Sequence, residues 1–489
     1  MTTLAGALGS AGLRDALPRP ARSSVRALLA TIALAGFCSL CIAAGGALVR
    51  LGLALAIAVL LATIVLIRPA AGVIATLVYL VLEELLRRIL IPVSPWVSFD
   101  PLLLVGPVVA LVLLVKLFVL ESRRWARDVT SKLVLLVLLI TLAEVANPAA
   151  AGGIRSGLTG LVFMAVPLLW FFIGREVLSD RDVDRLLAAV VGLGTIVACY
   201  GLWQTAIGDP PWDLNWLNVA SGYTSLHVGD VVRPFGTFAS SSEYALFLGV
   251  ALVVCVSFAL RGQLIALVPT PLLAVALFLS SARGALVTAA VAIVVLIGLR
   301  TGRPATALAV VVLATGAAFL GVRFAGSSLS GSSSNALVSH EVSGIADPLN
   351  PNSSTLVLHV QLMVDGFKSS LHHPLGEGTA VTNGAAGTIA NSVNQNPQAT
   401  EVDISNAFVA LGIGGGVVYL ALVVAVLATG AITVFTEQAV LLGALAVLLV
   451  DLGQWGIGGD YALAPLAWLM AGAVVARGRG GGLKAVRRR

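Results

Sequence analysis

Long apolar runs separated by short polar breaks repeat along nearly the whole chain. A run that crosses a bilayer as a helix needs about 20 mostly apolar residues. The stretches 27–49, 51–67, 69–82, 101–120, 132–147, 157–174, 186–207, 242–260, 263–280, 284–299, 304–321, 406–429, 432–450 and 460–476 reach or approach that length. They lack the period-2 alternation of a membrane barrel strand. In lipid, backbone N–H and C=O groups must be satisfied within the segment. The pattern therefore predicts an all-α polytopic membrane protein with about fourteen transmembrane helices.

Composition agrees. The 489 residues are 58% hydrophobic and 11% charged, with a mean hydropathy of +0.99; a soluble domain carries roughly 25% charged residues. The net charge of +6 gives no reason to expect nucleic acid, because the basic residues gather beside the spans. With a cytoplasmic N-terminus, the inner segments hold 21 of the 30 Lys and Arg residues, as the positive-inside rule asks. Both termini are expected to be cytoplasmic: basic tails at 1–26 and 477–489 flank a bundle at 27–476. The N-terminal tail reads as a retained anchor rather than a cleaved signal. Cys38, Cys41, Cys199 and Cys255 all fall inside apolar runs and read as free thiols packed as small hydrophobes.

Two outer segments exceed the short connectors. Residues 208–241 are rich in Pro, Asn, Asp and Gly, which signal turns. Residues 322–405 are long enough to form a cap over the bundle. Within this cap, "STLVLHVQLMVDGFKSS" reads as an amphipathic helix and "NGAAGTIANSVNQNPQAT" as a polar tract.

The candidate chemistry lies on the outer side. Arg233 precedes a span in "VVRPFGTFASSSEYA" and, taken alone, is also read as an interfacial arginine snorkelling to headgroups. Arg283, in "FLSSARGALVTAA", sits between two apolar runs with almost no loop. An arginine at that depth is costly unless it faces a wet cavity or an anion. Ser281 and its small neighbours leave room for a ligand, and two guanidiniums suit a phosphate or pyrophosphate. Glu243 opens the next span, either to pair with an arginine or to complement the helix dipole. Glu401, Asp403 and Asn406 precede a glycine-rich span, where a carboxylate could take a proton from a hydroxyl. Glycines 412, 414, 415 and 416 suit close helix packing. His227, His340 and His372 fall in polar loops and read as solvated.

Four stretches in order carry a resemblance: "RPFGTF" before a span, "SSARG" at a span boundary, an outer loop with a helix followed by "HPLGEG", and "EVDISNAF" entering a Gly-rich span. Over about residues 160 to 430 the chain resembles the O-antigen ligase and O-antigen polymerase superfamily of bacterial membrane glycosyltransferases. The resemblance implies a GT-C-like bundle in the bacterial cytoplasmic membrane, with a metal-independent, inverting transfer on the extracytoplasmic side. A glycan would pass from undecaprenyl pyrophosphate to a hydroxyl acceptor, with no cofactor. It further implies that Arg233 and Arg283 engage the pyrophosphate; Asn406, Glu243 and Ser281 are the other candidate substrate-binding residues read from the sequence. The partners implied are a lipid-linked oligosaccharide donor, a polysaccharide or glycan acceptor, membrane lipids and a candidate chain-length regulator. Two departures bear on the acceptor. His359 stands where the family's loop helix often begins with arginine, and "DISNAF" has no histidine where the ligases carry an essential one. They move the expectation towards a polymerase or a divergent ligase, with Asp403, Glu401 and His359 as candidate bases. The alternative is a transporter or flippase for a lipid-linked or anionic substrate, which calls for ionisable groups near the bilayer midplane.

Overall fold

The computed structural model describes residues 46–97, 100–147, 153–219, 226–228, 231–303, 333–347, 349–350, 355–379, 381, 403–435, 439–451 and 461–486, with residues 305, 309 and 312. Within these residues lie α1 (Ala47–Ile67), α2 (Pro69–Ile89), α3 (Val105–Leu114), α4 (Val129–Glu144), α5 (Gly153–Val177), α6 (Asp180–Ala206) and the short α7 (Pro211–Val219). A two-residue antiparallel pair, β1 (His227–Val228) with β2 (Val231–Val232), precedes α8 (Ser241–Leu260). Then come α9 (Thr270–Leu279), α10 (Arg283–Thr301), α11 (Ser333–Ala346), α12 (Leu356–His372), α13 (Ser405–Phe435), α14 (Leu441–Asp451) and α15 (Leu463–Val486).

Eight helical stretches are long and apolar enough to cross a membrane, and shorter apolar helices accompany them among the described residues. The chain is an all-α polytopic membrane protein. Of the fourteen stretches read from sequence, most of 27–49 and most of 304–321 lie outside the described residues. Others shift in extent. The stretch 69–82 continues as helix through Ile89, and 263–280 divides into a 3₁₀ turn at Leu264–Leu267 and the ten-residue α9.

The helix ends are chemically marked. Asp128 accepts from Ser131 N at 2.6 Å to start α4, Ser179 and Asp182 form a capping box on α6, and Ser240 accepts from Glu243 N to start α8. Each cap satisfies amide donors that the first helical turn leaves open. In the core, α5 and α15 cross at backbone contact. A Cβ on Gly174 would stand 1.9 Å from Leu469 O, and one on Gly472 would stand 1.9 Å from Phe171 O. Without side chains at the crossing the two backbones approach closely, which is how spans associate where no hydrophobic effect separates helix from lipid.

The bundle has two distinguishable ends. At one, Arg123 pairs with Glu121 and Glu176, Arg261 grips Asp184 through two bonds of 2.5 and 2.8 Å, and Arg477 pairs with Asp180. At the other stand the α1 N-terminus, the α2 C-terminus and the residues that precede α8, α10, α13 and α15. The second is called the polar end below, because several ionisable groups there are buried.

The glycine-rich span departs from the sequence reading. Gly412 is not a packing glycine within α13 but a break in it, at φ 71° and ψ −179°. The loop "HPLGEG" enters that break: Ile413 N donates to Pro374 O at 3.0 Å and Glu377 N to Val409 O at 2.8 Å. A Cβ on Gly412 would lie 2.4 Å from Pro374 O, and one on Gly376, itself at φ 95°, would lie 2.6 Å from Ala410 O. Two of the motifs noted in the sequence thus interlock as one structural device, and Asn147 of the α4 end closes it by donating to Gly376 O at 2.9 Å.

Candidate functional site at the polar end

Arg50, Arg87 and Arg88 build the floor of the polar end. Arg50 pairs with Asp100 and donates to Ser94 O at 2.8 Å. Arg87 meets Glu84 at 2.5 Å, Asp100 at 3.2 Å and Glu83 at 3.5 Å, with its guanidinium 4.0 Å over the Trp96 ring. The "EELLRR" run, beyond the 69–82 span expected from the sequence, is therefore the last turns of α2, kept helical because i,i+3 and i,i+4 acid–arginine pairs neutralise it within the bundle. That spacing was visible in the sequence.

Arg88 reaches further. It forms a 3.0 Å ion pair with Asp213 and donates to Gly236 O at 2.6 Å, lying 4.7 Å over the Phe235 ring. Asp213 in turn accepts from Tyr200 and from Gln204, whose Oε1 accepts from Phe235 N and Gly236 N. Gly236, at φ 54°, has no room for a Cβ against the Tyr244 ring at 2.6 Å. This network fixes the "RPFG" turn, and hence the origin of the Arg233 side chain.

From that turn Arg233 crosses to the α9–α10 corner. Its Nε donates to Ser280 O and its NH2 group to Ser281 O, both at 2.9 Å. Those carbonyls are left over at the C-terminus of α9, and Ser281 sits at φ 55°, strained for a residue with a side chain. Arg233 thus holds the corner that presents Arg283 two residues later. Burial, reinforced by Arg283 and opposed by Glu341, lowers the Arg233 pKa to about 10.

Arg283 meets α11. One terminal nitrogen lies 2.8 Å from His340 Nε2 and 3.1 Å from His340 O, and its Nε lies 3.5 Å from Glu341 Oε2. The guanidinium covers Gly344, where a Cβ would fall 2.0 Å from its central carbon. Glu341 is fully buried. Arg283 Nε and Ser281 Oγ stand beside its carboxylate, yet neither completes a hydrogen bond of good geometry. Burial pushes the Glu341 pKa up to about 7, against the pull of Arg283 and Arg233. The His340 pKa is lowered, first by burial and then by Arg283 and Arg233, so the imidazole is favoured as neutral.

Of the residues singled out from sequence, Arg233, Arg283 and Ser281 come together. Glu243 is buried in the first turn of α8, and its Oε1 accepts from Tyr461 N at 2.9 Å, tying α8 to the start of α15. Asp403 Oδ1 accepts from Ser405 N at 2.5 Å and serves as the cap of α13, with Asn406 buried in the following turn. His359 is exposed on α12. Glu401 lies outside the described residues. His340 is not a solvated loop residue but part of α11, and Glu341 had drawn no notice: "ALVSHEVSG" follows a Ser-rich tract and carries little apolar signal. Among the described residues no group of three His, Cys, Asp or Glu could hold a metal ion. Comparison with family models and with curated proteins finds no match.

Proposed function

We propose that the chain is a metal-independent, inverting glycosyltransferase of the bacterial cytoplasmic membrane. It would transfer an undecaprenyl-pyrophosphate-linked glycan to a hydroxyl acceptor at the extracytoplasmic face, as a polysaccharide polymerase or an O-antigen-ligase-like enzyme. The observation that carries this reading is the convergence of Arg233 and Arg283 on one corner beside Glu341 and His340.

In such a transfer the acceptor oxygen bonds to the anomeric carbon as the bond from that carbon to the pyrophosphate oxygen breaks. The lipid pyrophosphate leaves with the electron pair, and the acceptor proton passes to a base. Fixed guanidiniums at the departing group are the electrostatic assistance this step needs. Arg283, presented at the corner, grips the pyrophosphate. Arg233 holds the corner and adds its charge. His340, kept neutral, takes the proton once Arg283 turns to the donor. The described ion pairs gather at the two ends of the bundle, and the α13 break at Gly412 lies two turns from that helix's start, which favours a one-sided site over alternating access.

The test is a reconstituted assay with undecaprenyl-pyrophosphate-linked repeat units, products being resolved by size. A ladder of longer lipid-linked chains identifies a polymerase, and transfer to a different acceptor a ligase. Arg283→Ala should lower turnover by roughly 10²–10³, the usual cost of one transition-state donor. If cognate donor yields no product yet crosses proteoliposome membranes, the enzyme reading fails and a flippase replaces it.

A further inference from the structure

Arg283 already has an anion. Its guanidinium is covered by one face of α11: the His340 ring and carbonyl, the Glu341 carboxylate and the Gly344 backbone. Only 18% of the Arg283 side chain remains exposed, so little of the guanidinium is open to a phosphate with α11 in this position.

Yet the resident anion is a poor fit. Its closest oxygen is 3.5 Å from Nε, whereas a well-formed guanidinium–oxyanion bond is about 2.7–2.9 Å and is frequently doubled. Neither carboxylate oxygen accepts a hydrogen bond of good geometry although the side chain is fully buried. The rest of the inward stripe is weak as well. Leu337, Glu341 and Gly344 are the buried positions, and Leu337 alone among them is a large apolar side chain. One such residue contributes about 1.5–3 kcal/mol on burial. Among the described side chains, the helix is therefore seated by one buried leucine, the two contacts of His340 with Arg283 and an incomplete ion pair.

We propose that α11 is an intramolecular stand-in for the donor: Glu341 occupies the anion position on Arg283, and a diphosphate group exchanges with it, displacing α11 as it binds. This rests on the reading of Arg283 as the pyrophosphate grip and adds how that site is kept closed when empty. An open, charged arginine would otherwise face the membrane surface, where anionic headgroups compete for it. The apparent donor affinity is then lower than the intrinsic one by the fraction of molecules with α11 undocked.

The test uses the full-length protein in detergent with inorganic pyrophosphate, read by titration calorimetry and by hydrogen exchange of residues 333–347. Gly344→Val places a side chain where the guanidinium lies and should push α11 off. Glu341→Ala removes the resident anion without adding bulk. Both should bind pyrophosphate at least fivefold more tightly than wild type, and pyrophosphate should speed exchange across 333–347 in wild type. Arg283→Ala should abolish binding. Unchanged or weaker binding in both variants, with Arg283→Ala still losing it, overturns the exchange and leaves the pyrophosphate grip standing. Slower exchange in 333–347 on adding pyrophosphate also overturns it, because the helix would then be closing on the anion. Absence of pyrophosphate binding in wild type and both variants overturns the grip and the exchange together.

Discussion

Replacing Arg88 by methionine tests whether the polar end is held by buried charge. The substitution retains much of the apolar stem and removes three things: the 3.0 Å ion pair with Asp213, the 2.6 Å bond to Gly236 O and the stacking over Phe235. Both side chains of the pair are fully buried. Removing one member of such a pair strands the other and costs about 3–5 kcal/mol, against at most about 1 for an exposed pair. The loss should be local at first, because Gln204 still holds Phe235 N and Gly236 N from the other side. Asp213→Asn in the Arg88→Met background removes the stranded charge while keeping an acceptor for Tyr200 or Gln204, so the double variant should recover a large part of the cost. The assay is thermal unfolding in detergent by size-exclusion fluorescence, with hydrogen exchange of 231–240 as the local readout. If Arg88→Met costs under about 1 kcal/mol, or if Asp213→Asn adds to the damage instead of relieving it, the ion pair does not hold the turn.

Gly412→Ala and Gly376→Ala each place a Cβ into opposing backbone at positive φ and should cost about 2 kcal/mol or more of stability, read as a lower melting temperature. Gly414→Ala, where a Cβ meets open space, should be neutral or slightly stabilising, and equal effects at 412 and 414 would refute the interlocking of loop and helix break. Gly472→Ala forces apart the α5–α15 crossing and should abolish recovery of folded protein on size exclusion.

The membrane class was legible because lipid demands long apolar helices, and no other pattern satisfies so many apolar residues. Arg283 was legible for a related reason: a charge between two spans has few acceptable neighbours. What escaped was pairing. Periodicity marks Arg87 and Arg88 as the end of an apolar run, but their acids lie at i−3 and i−4 in the same helix or at Asp100 and Asp213 elsewhere. Asp403 looked like chemistry because it precedes a span, and a carboxylate in that place caps the helix by the same logic. His340 and Glu341 carry no periodic signal, since the buried positions described on α11 are a leucine, a carboxylate and a glycine.

The quality of each arginine's partner separates scaffold from site. Arg50 has the Asp100 carboxylate and both the hydroxyl and the carbonyl of Ser94. Arg87 has Glu84 at 2.5 Å and an aromatic face, and Arg88 has Asp213, a carbonyl at 2.6 Å and a ring. Arg233 serves two carbonyls at 2.9 Å. Each of these four has at least one bond of 2.9 Å or less to an oxygen, although the Arg88–Asp213 ion pair, like that of Arg283 with Glu341, completes no hydrogen bond of good geometry. Arg283 is held differently, by a carboxylate at 3.5 Å and by the imidazole and carbonyl of His340, all on one short helix whose described residues include one large buried apolar side chain, Leu337. A buried guanidinium is tolerated in either arrangement, but a stronger anion gains little at the first four and much at the fifth. If that ordering governs function, Arg50, Arg87 and Arg88 variants should lose folded protein and pyrophosphate binding in parallel. Arg283 variants should lose binding with the fold intact, and the reverse pattern would place the anion site elsewhere on the polar end.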